Sequence, residues 1–403
     1  MPSERPEHAL LLAATCVTGT ATAAIEAALS APLDWTRVVE LALAHRLAPP
    51  LLAALYTAGP TLVPADILDA LRIHCQRLRA QSEALTLELF ELLDALEARA
   101  VPVIPFKGPL LGELLFDDAA MRSPGDLDLL VRHADVALVR EVLEERGYVD
   151  SDQPPGGPSL TVVQRRMYER YQCEYLFVRP HDEMAVEPHW DLSQRTLAMD
   201  VDYAGMLDRA RPARLGGRTV LVLAPDDLLL ALCVHGAKHH WERLAWVRDV
   251  AGVLATWPDL DLEGAARRLR ARGCERLFLL SLDVARQCAG VALPVAIEAA
   301  IALDPTIGEL SKEVSAGLFQ SGRPGPRNDR VEAFRFRLRE RWSDRLRYAA
   351  LTWLTPRRRH LEAMALPHSL SWVYYSIKIG IDFAYYPVVR LVQSQGRRKV
   401  TKG

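Results

Sequence analysis

The spacing of apolar residues changes twice along the chain, and these changes constrain the fold more than any other feature. Over residues 8–98 apolar side chains recur every three or four positions, which predicts helices throughout. Between about 100 and 223 the apolar segments are short and rich in β-branched residues, which predicts strands interleaved with helices. Helical spacing returns from Asp226 onward. We therefore predict an α+β fold, with a small mixed sheet and its helices flanked by N-terminal and C-terminal helical regions.

The same changes of pattern divide the chain into four predicted regions. An N-terminal helical region covers 1–99, the α+β core covers 100–223, and a helical domain that closes a cleft covers 224–318. A linker and a helical tail occupy 319–403, because the segment "FQSGRPGPRND" is rich in glycine and proline. No internal repeat is visible.

Two carboxylates stand two positions apart in the apolar segment "DLDLLV". If this segment is a strand, Asp126 and Asp128 share one face and the intervening leucine takes the other. Paired carboxylates repel unless a positive charge lies between them, and a divalent cation such as Mg²⁺ supplies that charge. A third carboxylate is expected if two metal ions are used. We choose Glu187 in "MAVEPHW", with Glu174 in "CEYLFV" as the alternative on the paired strand of the same predicted hairpin.

A lysine and a glycine precede these carboxylates, between the predicted strand "VPVIPF" and the predicted helix "PLLGELLF". Only six of the 49 basic residues are lysines, so the chain uses arginine at most of its basic positions and Lys107 is an exception. Lysine offers a compact charge on a flexible stem. Gly108 permits close approach of a ligand, and the helix after it would present its N-terminal amides to an anion. We therefore predict that this turn binds phosphate. The alternative interpretation is that Lys107 is an ordinary surface lysine.

Arg122 and His189 each have two interpretations from the sequence. Arg122 can hold a phosphate or the carboxylate of Asp126, or it can form an ordinary ion pair with Asp117, Asp118 or Asp126. His189 follows Glu187 by two positions, so it can orient a substrate group or act as a base. It can equally be a hydrogen-bonded histidine at the end of a strand.

A histidine-rich segment, "LCVHGAKHHWERLAWVRDV", is predicted to be helical. His235 and His239 are four residues apart and share a helix face. A zinc site is disfavoured because no third ligand or HExxH arrangement is present. We predict instead that His235, Lys238 and His239, with Asp249 as a further candidate, line the cleft and contact a nucleotide or its acceptor.

Composition excludes several classes of protein. The net charge of −2 gives no global argument for binding nucleic acid. The six cysteines are scattered without a C-x-x-C pair, which favours free thiols in the cytoplasm. The N-terminus lacks the basic start of a signal peptide. Lys378 and Asp382 interrupt the most apolar segment, so a membrane contact of the C-terminal tail is the less favoured interpretation.

The ordered motifs "FKG", "MRSPGDLDLLV", "VEPHW" and "LCVHGAKHHWERLAWVRDV" resemble a poorly characterised bacterial nucleotidyltransferase family, sometimes called type 5, of the DNA polymerase beta-like superfamily. The resemblance covers most of residues 30–260. It implies a nucleotidyltransferase-type mixed sheet, with Lys107 and Gly108 at the phosphate-binding turn. It also implies Asp126 and Asp128 as metal ligands and Glu187 as the third acidic residue. The serine usual in the superfamily's turn is absent here.

The resemblance implies a transferase that uses Mg²⁺ or Mn²⁺ and a nucleoside triphosphate such as ATP. It would move a nucleoside monophosphate to a hydroxyl or phosphate of a small molecule, peptide or protein, in natural-product biosynthesis. The missing serine keeps an alternative open, in which the protein binds a nucleotide without catalysis and acts through a regulatory contact. A third alternative is a helical scaffold in which the D-x-D motif is only a surface pair.

Overall fold

The computed structural model describes residues 5–17, 21–123, 125–151, 160–320 and 328–382. The α-helices within these residues are α1 (Pro6–Thr15), α2 (Ala21–Leu29), α3 (Trp35–Ala44), α4 (Ala48–Ala58), α5 (Ala65–Glu97), α6 (Gly108–Phe116), α7 (Val136–Glu145), α8 (Val162–Tyr171), α9 (Tyr203–Asp208), α10 (Pro225–Lys238), α11 (Leu244–Thr256), α12 (Leu262–Arg272), α13 (Glu275–Ala289), α14 (Val295–Leu303), α15 (Pro305–Leu318), α16 (Asn328–Arg337), α17 (Trp342–Leu354), α18 (Arg358–Glu362) and α19 (Val373–Gly380).

Seven short strands form two sheets in the part of the chain that the structure describes. They are β1 (Ile104–Pro105), β2 (Leu127–Leu130), β3 (Val149–Asp150), β4 (Phe177–Arg179), β5 (Met184–His189), β6 (Arg211–Leu215) and β7 (Arg218–Val222). The five-stranded sheet has the order β1-β2-β5-β4-β3, and β6 pairs with β7 as a separate hairpin. Only β2 and β5 run parallel, whereas the other pairs are antiparallel. The sheet is therefore mixed, and the predicted α+β class is confirmed.

Two hydrophobic cores lie on opposite faces of the sheet. The first is formed by the N-terminal helices together with α10, α11 and α13, and Leu130 of β2 belongs to it. The second contains the C-terminal half of α5, together with α7 and α8, and it takes Leu127 and Leu129 of β2. Alternate residues of β2 thus enter different cores, which is the period of two that a strand requires. Asp128 consequently points to the face covered by α10 and α11.

The local signals in the sequence explain where the elements around the site begin and end. Proline stands in the first turn of α6, where its missing N–H costs no hydrogen bond. Gly147 follows α7 with a φ of +82°, a left-handed conformation that glycine adopts without strain. Glu183 lies in the turn between β4 and β5, as the predicted hairpin requires. The described residues between the turn at Gly108 and the end of β5 are therefore locally consistent with their fold.

Within the described residues, no helix is both long enough and apolar enough to cross a membrane. Most of the predicted linker, at 321–327, and the end of the C-terminal tail, at 383–403, lie outside the described residues. The four-region partition of the chain stays a prediction. Residues of the predicted N-terminal and cleft-closing regions nevertheless share the first core.

Candidate active site

The parallel pairing of β2 with β5 brings the predicted acidic residues together. Asp128 is the register partner of Glu187, and Leu130 is the partner of His189. Because side chains in register point to the same face, Asp128, Glu187 and His189 converge. One ligand atom of each lies within 4.8 Å of those of the other two. The side chain of Asp128 is 2 % exposed and that of Glu187 is 24 % exposed, so the group is reached from solvent on the Glu187 side.

Asp126 immediately precedes β2 and lies outside that group of ligand atoms. It is half-buried. Burial raises the pKa of Asp126 to about 6, and the charges of Asp128 and Glu187 act in the same direction. Lys107 and Arg122 lower this pKa but do not offset the increase. The charges of Asp128 and Glu187 thus disfavour ionisation of Asp126, an effect that a nearby cation would oppose.

Lys107 contacts the most buried carboxylate directly. Its Nζ lies 2.5 Å from Asp128 Oδ1 and 3.4 Å from His235 Nδ1, and its side chain is 6 % exposed. Burial acts to raise the pKa of Asp128, but the charges of Lys107 and His189 outweigh it and hold the pKa below its usual range. The predicted phosphate-binding lysine is thus also the counter-ion of a predicted metal ligand.

His189 connects two groups of acidic side chains. Its Nε2 lies 3.0 Å from Asp128 Oδ1 and 3.5 Å from Glu187 Oε2. Its Nδ1 lies 3.1 Å from Glu174 Oε2, at ion-pair distance but outside hydrogen-bond geometry. Burial lowers the pKa of His189, but its contacts with these carboxylates raise it well above the usual value. His189 therefore lies at the end of β5 as a hydrogen-bonded histidine, which is one of the two interpretations from the sequence, and it also contacts the acidic side chains of the site.

Glu174 lies on the other side of His189, to which it is joined by an isolated antiparallel bridge. Both of its carboxylate oxygens accept hydrogen bonds from Lys238 Nζ at 2.6 Å. Its ligand atom also lies close to those of Cys173 and His189, a second group with the composition of a metal site. Glu174, the alternative third carboxylate, thus lies on the Nδ1 side of His189, whereas Glu187 is the register partner of Asp128.

Arg122 forms an ion pair with Asp249, which the sequence indicated only as a candidate residue of the cleft. Its Nε donates to both oxygens of Asp249 at 3.1 Å, and its Nη1 donates to the carbonyl of Gly108 at 3.4 Å. Burial raises the pKa of Asp249, whereas the charge of Arg122 lowers it. The ion-pair partner is therefore Asp249 of α11 rather than Asp117, Asp118 or Asp126, and Arg122 links α11 to the turn before α6.

The turn before α6 requires glycine. Gly108 has a φ of +64°, and a Cβ there would lie 3.2 Å from the carbonyl oxygen of Asp126. Lys107 precedes the helix as its N-cap residue without a side-chain capping hydrogen bond. The first amides of α6 are consequently available to an anion, because a helix leaves its first N–H groups without intrahelical partners.

The rings of His235 and His239 of the histidine-rich segment contact each other and that of Trp246 in tilted or edge-on arrangements, with ring centroids 4.7–5.2 Å apart. Burial lowers the pKa of His239 to about 3, and the charge of Lys238 acts in the same direction. Among the described residues, neither histidine belongs to a group with metal-site composition. His235 reaches the site through Lys107, and Lys238 reaches it through Glu174, so this helical segment covers one face of the cluster.

Two contributors to the site were not predicted. Cys173 is buried beside Glu174, and Arg46 of the N-terminal region donates from its Nη1 to the carbonyl of Ser123 at 3.4 Å. Burial lowers the pKa of Arg46, while the charge of Asp126 raises it. No local pattern distinguishes Arg46 from the other arginines. Cys173 could have been found from its position next to Glu174 in the predicted hairpin.

The donor set fits a divalent cation. Carboxylate oxygens of Asp128 and Glu187 are hard ligands that suit Mg²⁺ or Mn²⁺, and the imidazole of His189 shifts the preference toward Mn²⁺ and other first-row transition metals. The further observation in favour is geometric, because one ligand atom of each of these three residues lies within 4.8 Å of those of the other two.

Comparison with known proteins finds one family. A family model described as an uncharacterised nucleotidyltransferase matches residues 31–290, which is more than half of the chain. The match begins in the N-terminal helices and ends shortly after α13, and it therefore includes every residue of the cluster. No curated protein and no solved structure gives a significant match.

Proposed function

The chain belongs to the family of uncharacterised nucleotidyltransferases, and from this we propose that it transfers a nucleoside monophosphate from a nucleoside triphosphate to an acceptor, with release of pyrophosphate. The proposed cofactor is Mg²⁺ or Mn²⁺. The acceptor group is a hydroxyl or phosphate of a small molecule, peptide or protein, and natural-product biosynthesis is the proposed context. We place the family in the DNA polymerase beta-like superfamily and the protein in the cytoplasm as parts of the same proposal.

One observation carries this proposal. Asp128 and Glu187 are register partners on parallel strands, and both lie beside a turn that presents Lys107 and the start of α6. Acidic residues that converge next to a cationic turn suit the binding of a metal–triphosphate complex, because the two parts of the ligand carry opposite charges. The partial exposure of Glu187 supports access by such a ligand.

Each residue of the cluster has a proposed role. Asp126, Asp128 and Glu187, with His189, would hold a divalent cation, which when bound would neutralise phosphate charge. Lys107 and the first amides of α6 bind phosphate oxygens. Arg122 positions the turn through the carbonyl of Gly108. Catalysis would then come chiefly from positioning and charge neutralisation, as in other phosphorus-centred transfers.

The helical segment 224–318 is proposed to close the cleft. Two of its residues form ion pairs with the α+β core, Asp249 with Arg122 and Lys238 with Glu174. His235 lies within hydrogen-bond distance of Lys107. These three contacts bind the segment to the α+β core at the acidic cluster. We propose that His235 and His239 contact the nucleotide or the acceptor from this side.

A second function is favoured by the contact between Lys107 and Asp128. The carboxylate already has a lysine at 2.5 Å, and the turn lacks the superfamily's serine. A protein that binds a nucleotide without catalysis, and acts through a regulatory contact, is consistent with this pairing. In that case Lys107 would remain on Asp128 and no cation would be needed.

Calorimetry and a pyrophosphate assay separate the two functions. For the transferase we expect one of the four common triphosphates to bind only with Mg²⁺ or Mn²⁺, and we expect this binding to be lost in Asp128→Asn. Pyrophosphate should then be released when a suitable acceptor is added. Triphosphate binding that does not depend on the cation, without pyrophosphate release, would favour a protein that binds a nucleotide without catalysis. Absence of any triphosphate binding would reject both functions.

A further inference from the structure

A cavity of about 460 Å³ lies between the end of α6 and the last turns of α11. Leu115, Phe116 and Met121 form an apolar wall, and Arg248 and Gly252 of α11 line the opposite side. Ala255 and Thr256, which are exposed, form part of the rim. The volume is within the range of roughly 300–1,000 Å³ that is typical of small-molecule pockets.

Arg248 is buried at this cavity without a polar partner. The residue is 7 % exposed, and its guanidinium carbon lies 3.7 Å from the ring centroid of Phe116. Its Nε is buried and has no hydrogen bond. In the part of the chain that the structure describes, no hydrogen bond or ion pair involves its guanidinium. Asp249 is the nearest acidic charge acting on Arg248, but its carboxylate is engaged by Arg122 at 3.1 Å.

A guanidinium whose Nε is buried without an acceptor is energetically costly. Loss of hydration from a charged group costs several kcal/mol when no partner replaces the water. Stacking of the guanidinium on Phe116 offsets part of this cost. Burial lowers the pKa of Arg248 to about 10, so the side chain stays charged at neutral pH. The cavity therefore has an uncompensated positive charge on one wall and apolar side chains on the other.

We propose that this cavity binds a small organic anion, a carboxylate or a phosphate monoester with an apolar body, whose charged group pairs with Arg248. The planar guanidinium can donate two parallel hydrogen bonds to either group. The apolar body would pack on Leu115, Phe116 and Met121. Among the described residues that line the cavity, Asp117 is the acidic one, and its side chain is exposed.

The cavity adjoins the candidate active site without being part of it. Met121 lines the cavity while its neighbour Arg122 faces the site, and Arg248 lines the cavity while its neighbour Asp249 binds Arg122. An anion on Arg248 would thus lie next to the Arg122–Asp249 pair. The proposal does not depend on nucleotidyl transfer, because it rests on Arg248 and the cavity alone.

Benzoate is a suitable probe, with benzamide as its uncharged counterpart. We expect isothermal titration of the full chain to show saturable benzoate binding and at least about tenfold weaker benzamide binding, since a hydrogen bond to a charged group contributes roughly 1.5–3 kcal/mol. Arg248→Gln should weaken benzoate binding by a similar factor. Arg267→Gln removes an exposed arginine from the neighbouring helix and should leave it unchanged.

Cysteine alkylation locates the bound probe. Cys16 lines the cavity, whereas Cys75 lies on α5 and does not, and both are partly exposed. Benzoate should slow alkylation of Cys16 and leave that of Cys75 unchanged. If Arg248→Gln fails to fold, Ala255→Trp replaces it, because a bulky side chain at the rim should block the cavity. The proposal is overturned if benzoate shows no saturable binding, if benzamide binds equally well, or if the folded cavity variant binds benzoate as tightly as the unaltered chain.

Discussion

Glu187 lies directly beside Asp128 in the parallel pairing of β2 with β5, although the two residues are far apart in the chain. This register decides which of the acidic residues can act on one ligand. A shift of one residue would turn Glu187 to the opposite face of the sheet, away from Asp128. The candidate active site therefore depends on strand pairing as much as on the carboxylates themselves.

Glu187→Gln should weaken binding of Mn²⁺ by about tenfold or more, because the number of carboxylate charges sets the affinity of an oxygen site for a divalent cation. Titration calorimetry with Mn²⁺ measures this. Glu183→Gln is the matched control, since it removes an exposed carboxylate from the turn before the same strand. Equal Mn²⁺ affinities in the two variants would exclude Glu187 as a ligand.

His189 should bind Mn²⁺ through Nε2, the nitrogen that lies near both Asp128 and Glu187. Pulsed electron paramagnetic resonance of the Mn²⁺-loaded protein should then show a nitrogen coupling that is absent from His189→Gln. His181→Gln is the control, because that side chain is 72 % exposed in the β4–β5 turn. A spectrum of the unaltered chain without nitrogen coupling would leave carboxylates alone as ligands.

Gly108→Ala should destabilise the protein and also impair triphosphate binding. A left-handed φ costs a non-glycine residue roughly 1–2 kcal/mol, and the new Cβ would crowd the carbonyl of Asp126. Gly147→Ala separates these effects, since Gly147 also has a positive φ but its added Cβ would meet nothing within 4 Å. Urea denaturation should show a loss in both variants, whereas calorimetry should show weaker triphosphate binding only in Gly108→Ala. The same binding loss in both would refute a local effect on the turn.

The buried imidazole of His45 should lower the free energy of unfolding at acidic pH. It is 4 % exposed, and the Leu244 amide donates a hydrogen bond to its Nδ1 at 3.4 Å. Burial lowers the pKa of His45 to about 4. A hydrogen bond with the backbone of Leu318 raises this pKa, whereas the charges of Arg243, His8 and Arg37 lower it. The ordinary value in an unfolded chain is 6.5.

The direction of the pH effect on stability follows from the pKa of His45 in the folded and unfolded states. Above pH 6.5 the imidazole is neutral in both states, and between pH 6.5 and 4 only the unfolded state takes up the proton. Stability from this group is thus lost as the pH falls through that window, by about 3 kcal/mol in total. Urea midpoints at pH 7 and 4.5 should differ less in His45→Asn than in the unaltered chain. An identical pH dependence would contradict the prediction.

The fold was predictable wherever the signal is local. The change from helical spacing to a period of two locates the sheet, and alternate residues of β2 do enter different cores. Pro109 and Gly147 mark helix boundaries that the structure confirms. The strands at Asp128 and Glu187 were likewise predictable, because a strand's alternation is written into neighbouring residues.

The partners of the charged residues were not predictable from the sequence. Arg122 has several carboxylates near it in the chain, yet it binds Asp249 on α11. Lys238, which is predicted to contact a nucleotide or its acceptor, donates a hydrogen bond to Glu174, a partner that the sequence did not indicate. Each pairing joins segments that only packing brings together, and a side chain's charge is compatible with many partners. The sequence by itself determined the chain's elements and candidate ligands, because periodicity and turn chemistry act between near neighbours. Only the tertiary structure decided which charges meet, because a buried charge can pair only with the groups that folding places beside it.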